Sequence, residues 1–367
     1  MNRLKIVIFL VLFSHGGDMT GQVLKSIIAD DDTHEPIPGV YVFVPNSSIG
    51  TTTDFDGRWQ LDMNDHLVEH LIISHLNYKN LELEMDDPLL SSDTIFLVET
   101  PSELDNVVLN AKFKSRLRKK RLRRFSNALL GEGKERKKTV IQNPESILFV
   151  EEGGELQATA TEPIVIRNEH LGYDINFFLE EFRIDHNEDG IYQGKIHFEA
   201  LEPESPRQKA SYLKNRKQVL RFSKRRFFKD LVENSMDEET YLLFMCYMTS
   251  NRKFEKLRDL HADSIDVKQL ENGLYKIEIK NYLAVKDLRL NSRKVEKSVG
   301  MSRNFNPSIK PKKKEKDVSG VSYLTSKSGY ILVSNNGVVQ NPSDLIEFGF
   351  WSERRLATML PYDYSFQ

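Results

Sequence analysis

Over the first hundred residues the apolar positions come in short runs separated by turn-forming residues, the pattern of a small β-sandwich. Gln22 to Ile28 opens as a strand, and Val40-Tyr-Val-Phe-Val44 follows Pro36-Ile-Pro38-Gly39, whose prolines can start a strand but not sit in a central one. Asp54-Phe-Asp56-Gly57 reads as a tight turn, because Asp bonds its own backbone and Gly takes a positive φ. Arg58-Trp-Gln-Leu61 then alternates, and Leu71-Ile-Ile73 and Thr94 to Val98 supply later strands.

Beyond residue 125 strands and helices mix. Glu155 to Ala160, Pro163 to Arg167, Gly172 to Phe177, Gly190 to Ala200 and Tyr275 to Lys280 read as strands. One helix is predicted over Arg207 to Asn234, with Leu213, Leu220, Phe227, Phe228 and Leu231 on one face. A second helix is predicted from Asp237 through the Tyr241–Met248 run, and a last one over Glu353 to Leu360, capped by Ser352. Tyr330 to Val339 reads as a hairpin with a type I′ turn at Asn336-Gly337. Met301 to Lys316 reads as a loop.

Residues 1–16 read as a signal peptide: Arg3 and Lys5 precede the apolar run Ile6 to Phe13, and Ser14-His15-Gly16 offers a cleavage site. That apolar run is far shorter than the ~20 residues a transmembrane helix needs. An exported chain is the expectation, in the periplasm or at the outer membrane.

Charge divides the chain. Residues 21–110 carry a net −14 and residues 111–367 a net +11, although the whole chain is at −2. Two domains of opposite sign follow from that division. Nine Lys or Arg fall within Lys112 to Arg124, so 100–125 reads as a basic linker or helix between a unit at 21–99 and one at 126–367. The basic residues Arg116, Arg118, Lys119, Lys120, Arg121, Arg123 and Arg124 are candidate contacts for an anionic partner. Among such partners an anionic membrane surface or the acidic N-terminal unit itself fits better than nucleic acid, since no base-reading motif or interleaved aromatic accompanies them. Trp351 and Tyr364 are candidates for a ligand groove, with a core anchor as the commoner use of such residues.

A single cysteine, Cys246, excludes an intramolecular disulfide framework and multi-cysteine metal sites. It sits in an apolar run and reads as an inert thiol. His66-Leu-Val-Glu69-His70 matches an inverted zinc-protease string, but it runs into a strand, where its two histidines would lie ~13 Å apart. Thr52-x-Asp54-x-Asp56-Gly57 lacks the glutamate of a calcium loop at Met63. No phosphate-binding loop, Rossmann glycine string or nucleophile elbow is present, and no cofactor is expected.

The N-terminal residues carry a family likeness. Gly21-x-Val23, Pro36-x-Pro38-Gly39-Val40-x-Val42-x-Val44, Gly50-Thr51-x-Thr53-Asp54-x-Asp56-Gly57-x-Trp59-x-Leu61, and Leu71-x-Ile73-Ser74 before Tyr78 resemble the carboxypeptidase regulatory-like domain. The resemblance implies a seven-stranded prealbumin-like sandwich. It also implies an accessory rather than catalytic role, beside zinc carboxypeptidases or at the front of outer-membrane receptors. Asn77 departs from the glycine usual before the tyrosine, and an Asn can take the left-handed conformation there. The second half is similar to a region of exported envelope proteins of unassigned activity. Asn143-Pro144-Glu145, Pro163-Ile-Val-Ile, Gly172-Tyr173, Asn215-Arg216, Gly337, Gly349 to Ser352 and Leu360 to Tyr364 carry that likeness.

The expected fold is mainly β, a sandwich followed by an α+β domain. The expected function is non-catalytic binding or assembly at the cell envelope, with an envelope protein or glycan as partner. The alternative is a hydrolase of peptides or glycans with its site in 126–367.

Overall fold

The computed structural model describes residues 23–63, 70–100, 116–131, 135–187, 190–237, 239–251, 253–291 and 320–365. The leader at 1–16, the Met301–Lys316 loop, and His66 and Glu69 lie outside the described residues. The chain divides into two compact units, Met1–Val44 with Ile49–Ser102, and Pro45–Ser48 with Glu103–Gln367.

The first unit is built from seven short strands: β1 (Val23–Asp30), β2 (Tyr41–Phe43), β3 (Gly50–Thr52), β4 (Arg58–Asp62), β5 (His70–Ser74), β6 (Leu81–Glu84) and β7 (Thr94–Leu97). One sheet has the order β4-β1-β7 and the other β3-β2-β5-β6. Strand β1 runs antiparallel to β4 and parallel to β7. The inward residues Leu24, Ile28, Val40, Val42, Trp59, Leu61, Leu71, Ile73, Ile95 and Leu97 form one core. Along β4, Trp59 and Leu61 are buried while their neighbours are exposed, the period-2 pattern that made this strand legible. The turn before β4 closes as its residues dictate: Asp54 Oδ1 accepts from the N–H of Asp56 (2.9 Å) and of Arg58 (2.8 Å). Gly57, at φ +70°, has Ile28 O only 2.5 Å from where a Cβ would stand. At the later turn the Tyr78 N–H donates to His75 O (3.1 Å), and Asn77 keeps a negative φ, so the turn needs no left-handed residue.

Among the described residues, the second unit has two larger cores. Its first comprises helix α1 (Arg116–Leu130) and strands β8 (Thr139–Ile141), β9 (Ile147–Glu152), β10 (Glu155–Ala160), β11 (Ile164–Asn168), β12 (Tyr173–Ile184) and β13 (Gly190–Ala200). Strand β12 pairs β11 over Tyr173–Phe177, β10 at Arg183 and Ile184, and β13 along its length. Leu122, Phe125, Ala128 and Leu129 fall at helical spacing on one side of α1 and pack into this core. The stretch expected as a basic linker or helix is therefore helical from Arg116, and that helix is part of a folded core.

Residues singled out by the second likeness tie this core together. Asn143 accepts from Val165 N–H (2.8 Å) and donates to Pro163 O (2.9 Å). Arg216 donates to Leu171 O (2.6 Å) and Gly172 O (2.8 Å), its guanidinium 3.9 Å from the Tyr173 ring centroid.

The second core lies among α3 (Lys224–Val232, after α2 at Pro206–Arg221) and two sheets. These are β15-β14-β18-β19-β21 and β16-β17-β20. Their strands are β14 (Tyr241–Met248), β15 (Phe254–Leu260), β16 (Val267–Gln269), β17 (Tyr275–Glu278), β18 (Tyr282–Asp287), β19 (Val321–Ser326), β20 (Tyr330–Val333) and β21 (Leu345–Gly349).

Five expectations are corrected here. The Tyr241–Met248 run is strand β14, not helix: paired on both sides by β15 and β18 and apolar on both faces, it gives no helical or strand period to read. The single helix expected at Arg207–Asn234 is two, because Ser223 caps a new helix through Arg226 N–H (3.1 Å) while Trp351 Nε1 donates to Phe222 O (3.0 Å). Within α2, Leu213 is exposed and Tyr212 is the buried residue. The last helix is only a 3-10 turn at Leu356–Thr358, since the Ser352 hydroxyl turns back to donate to Gly349 O (2.8 Å) instead of capping forward. The Asn-Gly hairpin uses Asn335 and Asn336 as turn centres. Gly337 N–H donates to Ser334 O (2.9 Å) and only Gly337 is left-handed (φ +77°), a type I turn with a glycine bulge rather than type I′.

Candidate functional site

Helix α1 sorts its cations into two sets. Arg118, Arg121 and Arg124, three apart, face the fold. Arg118 donates to Pro144 O (2.7 Å) and Ile147 O (3.1 Å). Arg121 and Arg124 close on the two oxygens of Glu151 at 2.9 and 2.8 Å, and Arg124 also reaches Asp185 O (2.7 Å). The Arg121 hydrogen bond, with the nearby guanidinium charges, holds the Glu151 carboxyl below its usual range. Arg116, Lys119, Lys120 and Arg123 are exposed and make no ion pair among the described residues. At spacings of three, one and three they form one stripe, bordered by Leu117, itself 42% exposed. Four adjacent cations outside any ion pair among the described residues attract anions, Lys120 also acting at longer range on Glu151, whereas the inward three are already neutralised or hydrogen-bonded.

The two aromatic candidates do not join this stripe. Trp351 is buried against Phe227 (ring centroids 5.4 Å apart), with its indole N–H already used, so the structure places it in the second core. Tyr364 is half-buried beside the first core, and burial raises its phenol pKa.

A second feature is a cleft of about 250 Å³ in the first unit, between the end of β1 with the turn after it and the β5–β6 turn. Asp30 and Tyr78 meet there, the phenol donating to the carboxylate at 2.9 Å. Burial first, then Asp30, raises the Tyr78 pKa to about 12. Backbone N–H groups, Thr33 foremost, and Tyr78 keep Asp30 ionised below the usual range. Desolvation holds His75 below its ordinary pKa, hence neutral. Sequence reading did not single out these residues as a site. The only pointers were the acidic run before Pro36 and the place of Tyr78 in the family pattern.

The outer face of the five-stranded sheet carries Phe254 stacked on Tyr323 (3.9 Å, 8°), with Tyr282 and Phe348 alongside. Cys246 packs with this cluster together with Ala284 and Val321, and its burial raises the thiol pKa. The buried carboxylates Asp230 and Asp287 are each held by an arginine, Arg226 at 2.8 Å and Arg289 at 2.7 Å. Among the described residues no group of three or more His, Cys, Asp or Glu could hold a metal ion, and no helix is long and apolar enough to cross a membrane. His70 lies 3.3 Å from Glu82 on the neighbouring strand.

Comparison with known families matches residues 20–109 to the CarboxypepD_reg-like domain. The chain carries a CarboxypepD_reg-like domain at its front. The match covers the seven strands and runs on to residue 109. A curated relative is the TonB-dependent receptor SusC of Bacteroides thetaiotaomicron, 32% identical over 88 residues. That stretch is 24% of this chain and 8% of the receptor, so the chain spans a small fraction of the relative it matches. No solved structure matches the chain.

Proposed function

We propose that the protein is an exported, non-catalytic binding or assembly module of the cell envelope. Its prealbumin-like CarboxypepD_reg-like domain and its α+β unit each contribute a contact surface. The observation that carries this reading is the sorting of cations on α1. Three arginines hold the helix to its core, and Arg116, Lys119, Lys120 and Arg123 remain outward as a stripe suited to an anionic envelope partner. Distant likeness to a TonB-dependent receptor over the first unit supports the envelope as the place of action. An anionic bilayer would reward each outward cation by ~1 kcal/mol, and an acidic envelope protein or glycan would use the same charges. The test is a cross-linking pull-down of the full chain from an envelope fraction, beside a variant with the four outward cations changed to Gln. A partner captured by the first and lost by the second is the expected result. Equal capture by both, or none by either, overturns the reading.

A further inference from the structure

The cleft of the first unit has a chemistry of its own, independent of the α1 stripe. Its polar wall is anionic: Asp30 and Glu35 line it, and among the described residues no Lys or Arg does. Asp30 is 8% exposed and saturated, since Oδ1 accepts from Asp32 N–H (3.0 Å) and Thr33 N–H (2.7 Å) and Oδ2 accepts from Tyr78. It therefore contributes a fixed charge rather than a free coordinating oxygen. Tyr78 spends its O–H on the hydrogen bond to Asp30, so towards any further group its oxygen can act only as an acceptor. Glu35 is exposed, and its carboxylate makes no hydrogen bond or ion pair among the described residues. It lies close enough to Tyr78 to push the phenol pKa upward. The remaining walls are apolar or aromatic, from Pro36, Pro38 and the Tyr78 and His75 rings, whose centroids lie 5.3 Å apart.

These features select among ligands. An anion is repelled by Asp30 and Glu35. A divalent cation would need several free oxygens, and one of the two carboxylates is fully engaged. About 250 Å³ suits one long side chain rather than a cofactor. A cation on an aliphatic stem fits every wall: the stem lies on the prolines, and the charged head meets Glu35, the Tyr78 oxygen and the ring faces.

We propose that the cleft between β1 and the β5–β6 turn is a receptor site for the Lys or Arg side chain of a basic partner polypeptide. The net −14 of residues 21–110 would draw such a segment in, and the cleft would seat one residue of it.

The experiment uses the full chain and fluorescein-labelled peptides Gly-Ser-X-Ser-Gly, with X as lysine, arginine, norleucine or glutamate, read by fluorescence anisotropy. Lysine and arginine peptides bind, and norleucine and glutamate peptides bind at least about tenfold more weakly. Glu35→Gln, which breaks no contact of the fold, weakens the lysine peptide about fivefold, while Glu84→Gln on β6, outside the cleft, changes it less than twofold. Equal loss from both variants would show a diffuse acidic field rather than a site. Equal binding of norleucine, or no binding of lysine at millimolar concentration, also overturns the proposal.

Discussion

Glu151→Gln probes the two-sided reading of α1. The native carboxylate accepts from Arg121 and Arg124, whose side chains are only 19% and 12% exposed, and it is itself 20% exposed. Gln keeps the shape but removes the charge that Arg121 and Arg124 share, in a partly desolvated place. A charge-assisted hydrogen bond contributes ~1.5–3 kcal/mol when buried, and partial exposure screens the pair, so the variant should cost the second unit about 2 kcal/mol. The chain holds two tryptophans, Trp59 in the first unit's core and Trp351 in the second's, so each reports on one unit. On a Trp59→Phe background, Trp351 fluorescence in urea follows the second unit alone. With m near ~3 kcal/mol/M, a loss of about 2 kcal/mol lowers the midpoint by ~0.7 M. Lys120→Gln, on the outward stripe, should shift it by less than ~0.2 M. A midpoint for Glu151→Gln no lower than for Lys120→Gln would refute the division of the helix into a structural and a free face.

Three further outcomes follow from the structure. His197 is 5% exposed, and burial lowers its pKa to about 4, so the second unit's stability is full above ~6.5 and declines as pH falls towards 4. That decline should reach about 3 kcal/mol at pH 4 and vanish in His197→Gln, measured by urea midpoints across pH. Gly337→Ala would force a Cβ within 2.0 Å of Arg225 O at φ +77°, and should lower the thermal midpoint of the second unit by several degrees, read by Trp351 fluorescence. Cys246, 1% exposed beneath the aromatic cluster, should react with a maleimide only on unfolding, and Phe254→Ala should speed its labelling at least about tenfold.

Much of the first unit was legible because its signals are local. Alternation in β4, the Asp54–Gly57 turn and the prolines before β2 each specify backbone without reference to distant residues. The cleft was not, because Asp30, Glu35, His75 and Tyr78 come from separate turns that only the folded sandwich brings together. In the second unit β14 was misread because every residue from Tyr241 to Met248 is apolar, so the sequence shows neither a helical nor a strand period. The α2–α3 break escaped for a different reason. A serine inside a basic, amphipathic stretch is a cap here, beside a carbonyl at Phe222 that Trp351 takes from 129 residues away, a partner the local sequence does not show. On α1 the composition announced a cationic run, but only the positions of Glu151, Pro144 and Ile147 show which cations the fold consumes.

The central claim, that Arg116, Lys119, Lys120 and Arg123 form the contact with an anionic envelope partner, is met most directly by salt. Retention of the full chain on an envelope fraction should fall steeply between about 0.05 and 0.3 M salt, because exposed charges are screened within a Debye length of roughly 10 Å at 0.1 M. The variant with all four changed to Gln should bind weakly at every salt concentration, with a flat dependence. A variant that retains both the affinity and the salt slope of the native chain would contradict the account.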